Sequence, residues 1–341
     1  MKNFWEKLQR PILCLAPMAD VTDCAFRQII AKYGSPRPDG RGKPDIFFTE
    51  FVSADGLAHP VAREKLLIDF IYGENERPIV AQIFGANPEN IKKALALCKE
   101  LGFDGIDINM GCPDKTIEKQ CAGAAMMKNP ALAREVIRAA KEGGGGLPIS
   151  VKTRIGYNKN EIETWIPELL KEDIAALTVH LRTRKEMSDV PAHWDLMKRI
   201  VEIRDNMQVK TLILGNGDVA DLDDARRKCE ETGCDGIMLG RAIFGNPWLF
   251  ADLPHPPPSP ERGRDTLSFQ ERVGVRLRVM IEHTKLFEKM LGKHKNFAIM
   301  KKHYKAYCNG FDGAKELRVK LMETENAEQV ESVVNDFLGN L

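Results

Sequence analysis

No stretch of this 341-residue chain approaches the run of roughly 18–20 apolar residues that a membrane-spanning helix needs. A membrane partner is therefore not expected. The segment Met1–Arg10 carries charges and lacks the apolar centre of a secretory signal, which leaves the cytoplasm as the expected compartment. The eight cysteines (Cys14, Cys24, Cys98, Cys112, Cys121, Cys229, Cys234 and Cys308) include no Cys-x-x-Cys pair, and no Cys/His set has zinc-finger spacing. A disulfide scaffold does not suit a chain of this size, so most of these thiols are expected to be buried small hydrophobes, and no metal is expected. A dominant charge sign is absent too: 50 Lys+Arg stand against 49 Asp+Glu, a formal net charge of +1. With 43% hydrophobic and 29% charged residues, the composition is that of a globular protein with a sizeable core. Nothing in it specifies an oligomer, and a monomer is the default expectation.

The even balance conceals an asymmetry. Residues 272–320 hold 13 Lys/Arg and 4 Asp/Glu, whereas residues 321–341 hold no Lys/Arg and 5 Asp/Glu. A basic segment ahead of an acidic tail hints at a polyanion partner, although a charge run is more often just a solvated helix face.

Up to about residue 250, short apolar runs recur, each followed by a turn and a helix-like stretch. They are Pro11–Pro17, Asp45–Phe51, Pro78–Phe84, Gly105–Gly111, Pro148–Arg154, Ala176–Arg182, Thr211–Gly217 and Gly236–Arg241. Their content of Ile, Val, Leu and Phe suits buried parallel strands. Between them, Asn90–Leu101 has helical periodicity, with Asn87 placed to cap and Pro88 in the first turn. Eight such units predict a (β/α)8 TIM barrel rather than a doubly wound sheet. The segment Pro254–Gly263 has five prolines in ten positions, which no helix or central strand tolerates. Beyond it, Phe269–Lys289, Asn296–Asn309, Gly313–Thr324 and Ala327–Leu338 read as a helical bundle. The expected domains are thus a barrel over 1–253, a Pro-rich linker or insertion over 254–266, and helices over 267–341.

Working residues of a barrel sit where strands end. Here those ends carry Pro17-Met18, Glu50, Gln82, Asn109 with Cys112, Lys152 with Arg154, His180 with Arg182, Asn216-Gly217-Asp218 and Gly240-Arg241. Gly217 and Gly240 permit close backbone approach, and Arg241 suits a phosphate, as the last two loops of such barrels often require. The spacing Gly215-x-Gly217-x-x-Ala220 mimics a dinucleotide fingerprint, but it follows a seventh strand instead of a first, so a Rossmann site is not expected. Lys152, placed mid-strand, suits the anionic edge of a reduced flavin, and Gln82 suits a pyrimidine edge. Cys112, with Pro113 after it and Lys115 nearby, could serve as a general acid if protonated or as a nucleophile if its pKa is lowered. Cys121, among small residues, reads as a packing residue.

Taken together and in order, these residues resemble the tRNA-dihydrouridine synthase family over nearly the whole chain. The resemblance is carried by Ala16-Pro17-Met18 with Asp23 and Phe26-Arg27, by Thr49-Glu50, and by Gln82-Ile83. It continues through Asn109-Met110-Gly111-Cys112-Pro113 with Lys115 and Gly123-Ala124-Ala125, then Val151-Lys152-x-Arg154-x-Gly156. Asn216-Gly217-Asp218, Gly240-Arg241-Ala242, Lys302-His303-x-x-x-Tyr307 and Glu316-Leu317-Arg318 complete it. It implies an oxidoreductase that reduces uridines in tRNA to dihydrouridine, with FMN as cofactor and NADPH as reductant. It implies FMN held by Ala16, Pro17, Met18, Gln82, Lys152, His180, Asn216, Gly217, Asp218, Gly240 and Arg241, and Cys112 as proton donor. It implies Asn109, Lys115, Arg154 and Arg182 near the substrate, and a C-terminal helical domain that binds tRNA. The chain departs from the family's His-Gly-Arg-Thr at strand six, reading His180-Leu181-Arg182-Thr183. A flavin barrel acting on a small molecule, such as a dihydropyrimidine or dihydroorotate dehydrogenase, and a non-catalytic RNA-binding barrel are the alternatives.

Overall fold

The computed structural model describes residues 3–34, 42–251 and 268–340. Nine strands form one parallel sheet: β1 Ile12–Leu15, β2 Phe47–Phe48, β3 Val52–Ser53, β4 Ile79–Phe84, β5 Gly105–Met110, β6 Ile149–Arg154, β7 Ala176–His180, β8 Leu212–Asn216 and β9 Gly236–Leu239. Their order is β1-β9-β8-β7-β6-β5-β4-β2, with β3 also paired to β4. A parallel bridge between Cys14 and Ile46 brings β1 against the segment leading into β2, so the sheet curls into an eight-position barrel. Asp45 reinforces that seam. Its N–H donates to the Leu13 carbonyl (2.8 Å), and its Oδ2 accepts from Leu13 N–H (2.8 Å).

The eight runs seen in the sequence are the eight positions of the barrel, but the second is broken into β2 and β3. The cause lies at Thr49. Its backbone N–H still donates to Val80 O, yet its Oγ1 takes the Gln82 N–H (3.0 Å) that a continuing strand would have taken. A side-chain acceptor replaces a ladder bond, and the chain turns away for three residues.

The helices are α1 Cys24–Tyr33, α2 Ala54–Ala58, α3 Pro60–Leu66, α4 Pro88–Glu100, α5 Lys115–Glu118, α6 Pro130–Gly144, α7 Ile162–Leu170, α8 Met197–Asn206, α9 Leu222–Thr232, α10 Phe269–Leu291, α11 Met300–Tyr307, α12 Ala314–Glu323 and α13 Ala327–Leu338. Local chemistry sets their ends. Asn87 Oδ1 accepts from Glu89 and Asn90 N–H at the start of α4, with Pro88 in its first turn. Asn129 and Pro130 open α6 in the same way, and Gly145, left-handed, closes it. Ser268 and Glu271 form a reciprocal capping box at α10.

The described residues fall into two compact units. The first comprises 1–18 and 45–240 and contains the barrel. Its apolar interior is built from Ile12, Cys14 and Ala16 on and after β1, Ile46 and Phe48, Val80, Ala176, Leu212 and Leu214, and Met238, with Trp5 packed among them. The second comprises 19–44 and 241–341. By this division the boundary expected at residue 253 falls inside the second unit, and α1 belongs with the C-terminal helices. The reason is visible in its core: Phe26 on α1 stacks on His283 of α10 (4.8 Å between centroids) and meets His303 of α11 edge-on (4.7 Å). Burial keeps both imidazoles neutral, pushing His303 down to about 3 and His283 well below its ordinary value. The Pro-rich stretch 254–263 lies outside the described residues. No helix among the described residues is long and apolar enough to cross a membrane.

Closure of the barrel depends on the approach of β1 to β9 at Gly236, where an added Cβ would lie 2.4 Å from the Ile12 carbonyl oxygen and 2.7 Å from its Cβ. Gly236→Ala is expected to cost about 2 kcal/mol, because two paired backbones must separate. Equilibrium denaturation checks this, and an unchanged stability would contradict the tight seam.

Candidate active site

Side chains of a strand alternate between the barrel interior and the helices, so Asp107 and Asn109 on β5 share a face, as do Ser150 and Lys152 on β6. Strand register places Gln82, Asp107 and Ser150 in one row and Asn109 beside Lys152 in the next. The apolar interior elsewhere thus gives way, on β4, β5 and β6, to a polar quadrant. Asp107 is fully buried. Its Oδ2 accepts from Gln82 Nε2 (2.7 Å) and its Oδ1 from Ser150 Oγ (2.6 Å). Burial raises its carboxyl to about 6, opposed by those two hydrogen bonds and by the charge of Lys152. Lys152 is the mirror case: burial lowers its ammonium to about 8, the Arg154 charge adds to this, and Asp107 and Cys112 pull the other way. Among the described residues its Nζ has no hydrogen-bonding partner.

The thiol-bearing loop after β5 is clamped at each residue. Asn109 Oδ1 accepts from the N–H groups of Gly111 (3.1 Å) and Cys112 (2.9 Å), while Asn109 Nδ2 donates to Gln82 Oε1 (3.1 Å). Arg154 Nε donates to the Gly111 carbonyl (2.9 Å), and Ala124 N–H donates to the Cys112 carbonyl (2.9 Å). Gly123 has φ +59°, and a Cβ there would come within 2.7 Å of that same Cys112 carbonyl oxygen. This accounts for the Gly123-Ala124 pair, which begins eleven residues beyond the cysteine. Cys112 itself is half-buried, beside Phe84, Ile117 and Ala122. Burial pushes its thiol above the ordinary value. The Asp114 carboxylate adds to the rise, and the Asp114 N–H and the Lys152 and Arg154 charges only partly reverse it. Of the two roles open to it from sequence, the protonated acid is the one this environment favours.

A second group gathers where β7, β8 and β9 end. Arg182, almost fully buried, donates through Nε to Val190 O (2.6 Å), through Nη2 to Asp218 Oδ2, and through Nη1 to His180 Nε2 (3.2 Å). A guanidinium only donates, so Nε2 of His180 accepts and its ring proton sits on Nδ1. Asp218 Oδ2 also accepts from Ala192 N–H (2.9 Å). Asn216 Nδ2 donates to Met238 O (2.8 Å), and the Gly217 carbonyl accepts from Trp194 Nε1 (2.8 Å). Gly217 has φ +120°, and a Cβ there would press on Ala192 and His180. At Gly240 an added Cβ would find only Ala16 and Met18, at 3.8 Å. The segment Ala16–Met18 thus lies beside the end of β9.

Most of the residues expected from sequence therefore converge in the first unit. Arg154 and Arg182, expected near the substrate, are both buried and direct donors to loop carbonyls and Asp218; Arg154 Nη1 holds Thr183 O (3.1 Å) and Met187 O (3.0 Å). Lys115 is exposed, on the first turn of α5. Arg241 directly follows Gly240 in the chain but opens the second unit, in the 3-10 turn Arg241–Ile243. Cys121 is exposed with φ +58°, contrary to the packing role expected of it. Asp107 and Ser150 were missed, although a charged residue on the Asn109 side of an otherwise apolar strand was a readable signal. Also missed was Tyr157, whose ring carries Lys128 Nζ at 3.8 Å and Arg184 at 5.3 Å.

A family model described as dihydrouridine synthase matches residues 14–341. The chain is 40% identical over 337 residues to a "Probable tRNA-dihydrouridine synthase 2" of Bacillus subtilis, covering 98% of this chain and 97% of that one. It is 37% identical over 338 residues to a "Probable tRNA-dihydrouridine synthase" of Staphylococcus aureus, covering 98% and 96%. Among solved structures, 6-hydroxypseudooxynicotine amine oxidase from Pseudomonas geniculata N1 superposes with a TM-score of 0.51 at 12% identity, over 70% of this chain and 46% of that one, a likeness of fold.

With its pKa raised, the Cys112 thiol stays protonated at neutral pH and ionises only as pH climbs past the ordinary thiol range. Alkylation of Cys112 by iodoacetamide, followed by peptide mass mapping, is expected to be slow at pH 7 and still accelerating above pH about 9. A rate already level at pH 7 would contradict the acid and restore the nucleophile.

Proposed function

The chain belongs to the dihydrouridine synthase family, and from that premise we propose that it reduces the C5=C6 bond of uridines in tRNA to dihydrouridine, with FMN as cofactor and NADPH as reductant. The single observation that carries this reading is the polar quadrant: a half-buried lysine whose Nζ has no hydrogen-bonding partner among the described residues, two oriented amides and a thiol pushed above its ordinary pKa, on and after three adjoining strands. These residues fit a flavin. Lys152 offers a cation to the edge of the ring that gains negative charge, and Gln82 and Asn109 offer amides to its pyrimidine portion. Asn216, Gly217 and Gly240, with Ala16, Pro17 and Met18 alongside, offer backbone to a phosphate, which Asp218 and His180 shape through Arg182. When bound, the reduced flavin supplies hydride to the pyrimidine ring.

The remaining steps belong to the protein. Cys112 holds a proton on Sγ for C5 of the uracil, and its clamped loop keeps that atom in place. A uridine stacked in RNA cannot reach a barrel interior, so the base must be turned out of its stack. The basic stretch 272–320 of the second unit then serves to hold phosphates. Parts of it have other work: Lys301 Nζ donates to Met322 O, Lys302 pairs with Asp20, and Arg318 holds Cys308 O. Lys289, Lys293 and Lys305 are exposed and are the better candidates.

Cys112→Ala is expected to purify with flavin bound and reducible by NADPH, while dihydrouridine formation on tRNA falls by about a hundredfold or more. Nucleoside analysis by mass spectrometry checks this; wild-type turnover would remove the acid assignment. Replacing Lys289, Lys293 and Lys305 together by Glu is expected to weaken tRNA binding and to flatten its salt dependence by about 0.7 in log–log slope per lost phosphate contact, with flavin content unchanged. Equal affinity at every salt concentration would show the stretch to be a solvated face.

A further inference from the structure

The thiol loop is oriented from a distance. The geometry points to Asp107 as a positioning residue: its buried carboxylate fixes the direction of the Gln82 and Asn109 side-chain amides, and through them the backbone of Gly111 and Cys112. The inference deepens the reading of Cys112 as proton donor and takes its importance from it.

An ionised carboxylate only accepts, so the NH2 of Gln82 must face Asp107, as it does at 2.7 Å. The oxygen of Gln82 then faces Asn109 and can only accept, so the NH2 of Asn109 must face it, at 3.1 Å. That leaves the oxygen of Asn109 toward the loop, where it takes the Gly111 and Cys112 N–H groups at 3.1 and 2.9 Å. Turning Gln82 over would set its oxygen against the carboxylate and its NH2 against that of Asn109; turning Asn109 over would set oxygen against oxygen at Gln82 and NH2 against the two backbone N–H groups. The Gly111 and Cys112 N–H groups oppose the same reversal from the far end. Ser150 Oγ, donating to Oδ1 at 2.6 Å, holds the carboxylate in plane for Gln82. A chain of buried polar groups satisfied at every member is rigid, and one broken anywhere is costly. Asp107 lies two residues from Asn109 along β5, so it acts through these amides and not by contact with the sulfur.

Hydrogen exchange at the Gly111 and Cys112 amides tests the relay in the full-length protein as purified, without tRNA or turnover, so its failure is separate from failure of the proposed function. Asp107→Leu, which removes the acceptor at similar volume, is expected to speed exchange at these two amides by about tenfold, with the outer barrel strands unaffected. Asp107→Asn keeps an acceptor for Gln82 and a donor for Ser150, and is expected to retain wild-type protection at both amides and dihydrouridine formation within about threefold. If Asp107→Leu does not fold, Gln82→Leu cuts the same chain one member on and is expected to release the same two amides. Wild-type protection of Cys112 N–H in either leucine variant, or its loss in Asp107→Asn, would overturn the relay.

Discussion

The interior of a closed parallel barrel is packed with side chains, so a polar group there must find its partners within the protein, and this one carries Gln82, Asp107, Asn109 and Ser150, buried, and Lys152, half-buried, on three adjoining strands. Everything distinctive about the molecule follows from how that burden is met. Four of the five satisfy one another in a fixed sequence of donors and acceptors, and the chain of bonds ends on the backbone beside Cys112. The fifth, Lys152, has no hydrogen-bonding partner for its Nζ among the described residues, and the charges of Asp107 and Cys112 only partly offset the burial that favours its neutral form. A half-buried cation only partly balanced by a neighbouring carboxylate leaves room for a further partner of opposite charge. In the proposed function the polar quadrant joins two tasks: it holds the thiol loop in place, and it offers the Lys152 charge to a cofactor.

The same economy explains the arginines. Arg154 and Arg182 are long, charged and placed at strand ends, where a substrate contact is the natural expectation. In this structure each gathers carbonyls of the loops after β5 and β7, or anchors the Asp218 carboxylate. They brace the rim around the thiol and the late glycine turns. Precision at such a site comes from these outer supports as much as from the groups that meet the substrate.

Much of this could be read from sequence, and the pattern of success is physical. The barrel was legible because parallel strands buried on both faces leave runs of Ile, Val, Leu and Phe at regular spacing, and helix α13 was legible to the residue, at Ala327–Leu338. Cys112, Lys152 and Gln82 stood out because their chemistry is rare in mid-barrel. The interruption of the second strand at Thr49 was not legible, since it depends on a hydroxyl taking an N–H from a residue 33 positions along the chain. Nor was the placement of α1: its Phe26 is an ordinary helix residue until His283 and His303 arrive from far along the chain. The directions of Arg154 and Arg182 were hidden for the same reason, because their acceptors are carbonyls whose positions only the folded loops define. Asp107 was legible in principle, as a charge on the Asn109 face of β5, and was passed over beside a more conspicuous cysteine.

The central claim is that this site reduces a uracil presented by RNA. The most direct test gives the purified protein NADPH and, in parallel reactions, unmodified tRNA or free uridine, with dihydrouridine measured in both. Dihydrouridine at discrete positions of the tRNA, with little from the free nucleoside, is the result predicted. Dihydrouridine from free uridine at a comparable rate, or none in the tRNA, would contradict the account.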